Sequence, residues 1–146
     1  MNLIFTTKVS KQSRPVIEEL MFFNPSQHRV REGIINSLAK FGYPRLEESG
    51  DHLVVRVGDS DAQTLFVYDQ DSRRREPIGM VAFLRTSPSE IAIMHIAVHA
   101  DYALQNRKHD LGLGIILIEK VKEIAARIVG VEKIIFFYRQ EAVIRL

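Results

Sequence analysis

The fold is decided by residues 90–138, which read EIAIMHIAV (90–98), HADYALQNRKHD (99–110), LGLGIILIEKVKEIAARIVG (111–130) and VEKIIFFY (131–138). The first and last segments are rich in β-branched residues and predict buried strands at Glu90–Val98 and Val131–Tyr138. Between them, apolar residues recur at the spacing of one helix face from Leu113 to Ile128. A strand, a helix and a strand in this order predict a β-α-β crossover that joins two parallel strands.

The upstream sequence predicts a short strand, two helices and an antiparallel meander. Apolar residues at helical spacing favour one helix that begins near Pro15 and another that lies between Ser26 and Gly42. The predicted inner face of the second helix consists of Val30, Ile34, Ile35, Leu38 and Phe41. The residues Gly58-Asp-Ser-Asp61 are typical of a turn, and we expect the runs on either side of it to pair as a hairpin. The expected strands are Asn2–Thr6, Leu53–Val57, Thr64–Tyr68 and Ile78–Thr86. The predicted fold class is α+β, a single domain over residues 1–146 with one mixed sheet and helices on both of its faces.

Composition excludes several classes of site and partner. With 146 residues, 46% of them hydrophobic and 26% charged, the chain is in the range of one globular domain. It has no cysteine, which excludes disulfides, thiolate metal sites, iron–sulfur clusters and a cysteine nucleophile. The net charge of +2 does not predict nucleic-acid binding, and Arg73-Arg74-Arg75 has acidic neighbours and is expected to be solvated. Since residues 1–10 lack a signal-peptide pattern and no apolar window has membrane length, we expect a cytoplasmic protein without a membrane partner.

The start of the helix in the crossover predicts an anion site. Gly112 and Gly114 let backbone amides approach an anion without a Cβ in the way, and Arg107 and Lys108 stand just upstream. A P-loop requires Gly-Lys followed by Ser or Thr, and a dinucleotide fingerprint requires a small residue at position 117, where the chain has Leu. Both motifs therefore fail, and a short phosphate cradle is what the residues favour. Asp110 is expected to cap the helix.

Residues 78–138 resemble the core of the GNAT superfamily of N-acetyltransferases. In that family the fourth strand ends in a Leu-Ala-Val-like sequence, and the backbone there pairs with the pantetheine arm of acetyl-CoA; the matching residues are Ile96, Ala97 and Val98. A Gln/Arg-x-x-Gly-x-Gly/Ala motif then holds the pyrophosphate with its amides. The motif spans His109, Asp110, Leu111, Gly112, Leu113 and Gly114 in this chain. The resemblance implies acetyl-CoA as co-substrate and acyl transfer to a primary amine.

The chain departs from the family pattern at the motif and at the usual proton acceptor. His109 stands where the family has Gln or Arg, and the link from Tyr102 to His109 is longer than usual, so Arg107 is expected to supply the charge. A frequent general base of the family lies on the strand face that carries Ala92 and Met94, neither of which can take a proton.

Two other residues are therefore the candidate catalytic groups. Glu90 shares the parity of Ala92 and Met94 and is the predicted proton acceptor, whereas His95 is expected to point to the opposite face. Tyr138 is the phenol nearest to where the thiolate would leave.

The end of the chain predicts an exposed sheet edge. Only eight residues follow Tyr138, where the family adds a helix and further strands, and the apolar run at residues 142–144 is expected to pair with a sheet edge or a second subunit. The two central strands of the family also splay apart. We therefore expect a homodimer that covers the exposed edges.

Three alternatives remain beside the enzyme. A non-catalytic acyl-CoA sensor or interaction module fits the same cradle without proton-transfer residues. A metal site could be formed from His95, His99, Asp101, His109 and Asp110, but loop histidines are commonly just exposed, and we expect no metal. A basic nucleic-acid binder ranks last because of the small net charge.

Overall fold

The computed structural model describes residues 2–22, 31–72, 75–102, 112–136 and 142–146. These residues form three α-helices and nine strands. In chain order the elements are β1 (Leu3–Thr6), α1 (Arg14–Phe22), α2 (Arg31–Phe41), β2 (Pro44–Ser49), β3 (His52–Val57), β4 (Ser60–Asp61), β5 (Gln63–Asp69), β6 (Gly79–Ser87), β7 (Glu90–Val98), α3 (Leu113–Ala126), β8 (Lys133–Phe136) and β9 (Ala142–Arg145).

The main sheet is mixed, as the sequence predicts. Its six strands lie in the order β1-β5-β6-β7-β8-β9, and β7 and β8 form its parallel pair while the other neighbours are antiparallel. β1 lies against β5, so that Leu3 is opposite Asp69 and Thr6 is opposite Phe66. The α+β class, the meander β5-β6-β7 and the crossover through α3 are therefore confirmed.

The expected hairpin between residues 53–57 and 64–68 is wrong. β3 instead pairs with β2 and β4 in a separate three-stranded sheet, while β5 belongs to the main sheet. β2 cannot be recognised from apolar alternation, because Leu46 is its single buried side chain and most of the others are polar. The amide of Ala62 donates to the carbonyl of Val55, and the chain then leaves the small sheet for the main one.

Both faces of the main sheet are covered by helices, which confirms that expectation. One face packs against α1 and the small sheet through side chains that include Ile17, Leu20, Met21, Leu53, Val55, Phe66, Met80, Met94 and Ala97. The other face packs against α3 through Val67, Val81, Phe83, Ile91, Ile93, Leu113, Leu117, Val121 and Ile134. No helix within the described ranges is long and apolar enough to cross a membrane.

Helix α2 does not pack as its apolar spacing predicts. Ile35 belongs to the predicted inner face but is 50% exposed, whereas Ile34, Leu38 and Phe41 are half-buried. Among the described side chains of this helix, at residues 34–41, only Ser37 is buried, at 3% exposure. The helix is therefore turned so that a small polar residue faces the sheet.

The run at residues 142–144 pairs with a sheet edge, which is one of the two outcomes expected for it. In β9, Val143 lies opposite Ile135 and Ile144 lies opposite Ile134. The other side of β9 faces no strand among the described residues, so β9 is an edge of the main sheet there. The homodimer that would cover this edge stays a prediction.

Candidate functional site

Strand β7 contains a β-bulge at Met94. Ala82 of β6 lies opposite His95 and Phe83 lies opposite Ile93, which leaves Met94 as an extra residue on β7. Met94 packs in the same core as Met21 of α1, and Nε2 of His95 lies 3.1 Å from the carbonyl oxygen of Met21. Two consecutive side chains therefore face α1. The expectation that His95 points to the opposite face from Met94 is wrong, because the bulge interrupts the alternation.

The described pairing of β7 and β8 is short. It runs from Glu90 opposite Lys133 to Ala92 opposite Ile135, and Phe136 is the last described residue of β8. We call the segment Ile93–Val98, together with Phe136, the β7–β8 fork; its closed end is the paired end at Ala92, and its open end is at Val98. The divergence of the two central strands that the resemblance implies stays a prediction.

The N-terminus of α3 lies at the open end of the fork. A Cβ added to Gly114 would lie 3.9 Å from Cγ2 of Val98, the last residue of β7. Leu113 is buried at 1% exposure, and a Cβ on Gly79 of β6 would lie 3.1 Å from its Cδ2. The first turn carries no acidic residue. The amide of Ile115 already donates to the carbonyl of Gly112 at 3.1 Å, so the amides that this end of α3 offers to an anion are those of Leu113 and Gly114, at the positive end of the helix dipole.

The backbone amides and carbonyls of Ile96 and Val98 point toward the fork. The amide of His99 donates to the carbonyl of Ile78, which continues the pairing with β6. Successive residues of a strand direct their backbone groups to opposite neighbours, so those of Ile96 and Val98 point to the β8 side. The structure thus brings together the predicted residues Ile96, Ala97, Val98, Gly112, Leu113 and Gly114.

Other predicted site residues lie outside the described ranges: Arg107, His109, Asp110, Leu111 and Tyr138. The N-cap position of α3 is held by Gly112, which has φ −64° and ψ 149° and no side chain that could accept an amide. The capping role expected of Asp110 concerns a residue outside the described ranges and stays a prediction.

Glu90 is the first residue of β7, three residues before Ile93, where the fork begins. Its Oε1 is 3.6 Å from Nζ of Lys133, and the hydroxyl of Thr86 donates to its Oε2 at 2.7 Å. The side chain is 21% exposed. The role expected of Glu90 as proton acceptor stays a prediction.

His95 is the titratable side chain in the β7 segment of the fork. Complete burial lowers the pKa of His95 to about 4, against the opposing effect of its hydrogen bond to Met21. The ring is therefore neutral at pH 7. Because a carbonyl can only accept, Nε2 carries the proton and donates it to the Met21 oxygen. His95 thus fixes α1 on β7 and is a poor proton acceptor at neutral pH.

Tyr102 fixes the chain where it leaves β7 for α3, a role that sequence reasoning missed. Its hydroxyl donates to Oδ2 of Asp69 at 3.0 Å, and the amides of Asp71 and Asn2 donate to Oδ1. Burial raises the pKa of Asp69, but these hydrogen bonds outweigh it and the net pKa is lowered. The signal available in the sequence was only an acidic residue at a strand end and a tyrosine 33 residues later.

No metal site is formed by the part of the chain that the structure describes. There, no group of three or more His, Asp or Glu side chains is placed to hold an ion. Of the residues considered as ligands, His95 is bonded to Met21, and Nδ1 of His99 accepts the amide of Asp101 at 3.1 Å.

Comparison of the chain with protein-family models, curated proteins and solved structures found no match. The assignment of a function therefore depends on the residues and geometry of this chain.

Proposed function

We propose that the chain binds an acyl-CoA thioester, with acetyl-CoA as the simplest case, in the β7–β8 fork and transfers the acyl group to a primary amine. One observation carries the proposal: the open end of the fork meets the glycine-containing first turn of α3, with Gly114 placed against Val98. A strand edge can bind an extended amide chain, and a helix N-terminus can bind a diphosphate. Coenzyme A has both parts in sequence: the pantetheine arm is the extended amide chain, and the diphosphate follows it.

In the proposed complex, the pantetheine arm lies along Ile96–Val98 on the β8 side of the strand. The diphosphate lies at the amides of the first turn of α3, and Arg107 and His109 are proposed to contact it. The carrier enters at the open end of the fork, and its thioester points toward the closed end, where β7 and β8 are paired.

The transfer step depends more on how the protein positions the amine and the thioester than on covalent catalysis by a side chain. The amine nitrogen attacks the thioester carbonyl carbon, the C–S bond breaks, and the CoA thiolate leaves and takes up a proton, while the ammonium nitrogen loses one. A backbone amide of Ile96 or Val98 is proposed to polarise the carbonyl oxygen, since a preorganised donor stabilises the charge that develops there. Tyr138 stays the proposed proton donor to the thiolate.

The second candidate is an acyl-CoA-binding module without transfer. It is favoured by Glu90, which is engaged by Lys133 and Thr86, and by Ala92 and Met94, which are buried and cannot accept a proton. Incubation with acetyl-CoA and a panel of primary amines, with free thiol as the readout, separates the two candidates. Thiol release that depends on the amine supports transfer, whereas acetyl-CoA binding without release supports the module.

Replacing Glu90 with Gln is expected to lower turnover about a hundredfold while acetyl-CoA binding is retained, since a positioned proton acceptor contributes roughly 10²–10⁴-fold to the rate. Glu90 is the proton acceptor that the sequence predicts on β7, three residues before the fork begins. The matched control is Glu123→Gln, which removes an exposed carboxylate paired with Lys120. Turnover within about twofold of wild type in Glu90→Gln would remove Glu90 as the proton acceptor.

Replacing Gly114 with Glu is expected to stabilise the fold while it weakens acetyl-CoA binding about ten- to a hundredfold. The new Cβ makes an ordinary contact with Val98, a non-glycine residue favours the helix, and a carboxylate in its first turn interacts well with the dipole. The same carboxylate repels a diphosphate. Thermal unfolding with and without acetyl-CoA measures both effects, because a hundredfold excess over Kd adds about 2.7 kcal/mol.

The control for this experiment is Gly114→Gln, which has the same shape without the charge. We expect it to retain much more affinity than Gly114→Glu. Equal acetyl-CoA affinity in the two variants would remove the diphosphate from this end of α3.

A further inference from the structure

Ser37 joins α2 to the bulge of β7 through a buried hydrogen bond. Its hydroxyl donates to the carbonyl oxygen of Met94, and it is the only buried side chain among the described residues 34–41 of α2. Ser37 is thus a buried polar contact between the helix and the sheet, and the partly buried Phe41 packs against the same core. Such a contact fixes a position more than it adds packing energy.

The acceptor of this bond is the residue that the bulge adds to β7. A bulge disrupts the regular ladder, and a buried carbonyl is costly to leave without a donor. The Ser37 hydroxyl donates to the Met94 carbonyl from outside the sheet, so this carbonyl has a hydrogen-bond donor in the bulged conformation of β7. Without the hydroxyl, conformations of β7 that pair this carbonyl with a backbone amide would become more favourable, including one without the bulge.

The two helices on this face form hydrogen bonds with two consecutive residues of β7. Ser37 of α2 donates to Met94, and the next residue, His95, donates to Met21 of α1. Ile96 follows directly, so the backbone that borders the fork begins one residue beyond two buried anchors. A displacement of either helix is thereby coupled to the orientation of Ile96 and Val98.

We propose that Ser37 is a positioning residue: by holding the Met94 carbonyl, it maintains the bulged path of β7 and the orientation of Ile96 and Val98 toward the β7–β8 fork. The inference rests on the proposed function for its ligand, acetyl-CoA, and goes beyond it by assigning a role to α2. Ser37 does not touch the ligand and acts only through β7.

The test compares the affinity for acetyl-CoA, measured by titration calorimetry, in four proteins. Ser37→Ala is expected to weaken binding about five- to tenfold relative to wild type, since one hydrogen bond is lost. Ser37→Thr keeps the hydroxyl and is expected to restore most of the affinity. Asn36→Ala, which removes an exposed polar group from the same helix, is expected to bind as wild type does.

A second control separates positioning from loss of stability. Val55→Ala removes buried volume from β3, which pairs with β2 and not with β7, and is expected to lower stability without changing affinity. Backbone hydrogen exchange in the absence of ligand provides an independent readout. In Ser37→Ala, exchange should change in the peptide that covers residues 91–98 and stay as in wild type over residues 63–69.

The outcomes are distinct. If Ser37→Ala binds acetyl-CoA as tightly as wild type, or if Val55→Ala weakens binding as much as Ser37→Ala does, the positioning role is overturned. If wild type does not bind acetyl-CoA, the proposed function fails, and the exchange of residues 91–98 alone decides whether Ser37 maintains β7. If Ser37→Ala does not fold, Ser37→Cys, which has similar size and a much weaker donor, replaces it in the same comparison.

Discussion

Lowering the pH from 7 to 4 is expected to reduce the free energy of unfolding by about 3 kcal/mol through His95 alone. The ring is completely buried, and its pKa falls from 6.5 in the unfolded chain to about 4 in the folded one. Between these two values the unfolded chain binds a proton that the folded chain excludes. Stability therefore falls as the pH drops below 6.5, and this contribution is lost near pH 4.

The measurement is urea unfolding between pH 7 and pH 4. His95→Gln keeps an N–H donor for the Met21 carbonyl but cannot ionise, so its stability should vary much less across this window. His99→Gln, which replaces a half-buried histidine, is the matched control. The lowered pKa of Asp69 contributes a further loss only as the pH falls below its ordinary 3.8. Equal slopes for wild type and His95→Gln would contradict the prediction.

Replacing Leu113 with Ala is expected to cost about 2–5 kcal/mol of unfolding free energy. Leu113 is buried in the first turn of α3 and fills the space above Gly79, so its removal leaves a cavity at the open end of the fork. Ile115 lies in the same turn but is 44% exposed, and Ile115→Ala should cost far less. Urea unfolding at pH 7 measures both variants, and equal costs would show that Leu113 does not anchor the helix.

A double-mutant cycle with Gly79→Ala sharpens this experiment. In wild type the new methyl group would lie 3.1 Å from both Leu113 and Val67 and 3.3 Å from the carbonyl oxygen of Ala97, so the substitution should be destabilising. In Leu113→Ala one of these contacts is removed, and the cost of Gly79→Ala should be smaller. Additive costs would mean that the two residues are not in contact.

The crossover could be predicted because its signals are local. The expected bounds of β7, Glu90–Val98, are those observed, since a β-branched apolar run is flanked by the turn at Ser87-Pro88-Ser89. The topology of a strand, a helix and a strand then places the start of α3 beside the end of β7. The proximity of Gly114 and Val98 follows from these facts alone.

The bulge could not be predicted, and the error in the orientation of His95 has the same origin. The sequence around Met94 and His95 has no signal for an extra residue in the strand. Parity arguments fail beyond such a point, which is why His95 faces α1.

The buried face of α2 and the existence of β2 could not be predicted, for a different reason. Apolar periodicity predicts the buried face of a helix when packing energy dominates its position. In α2 the contact of Ser37 with Met94 sets the rotation instead, and Ile35 turns outward. In β2 nearly every side chain is polar, so the strand is defined by its pairing with β3 and not by its own composition.

The pairing of β1 with β5 sets an order on the synthesis and folding of the chain. Leu3–Thr6 is synthesised before its partner Phe66–Asp69, which follows about 60 residues later. At about 5–20 residues per second, β1 waits on the order of 3–12 s before it can be incorporated. The meander of β5, β6 and β7 has its contacts close in sequence and can form first, so β1 is expected to join a nascent sheet that already exists.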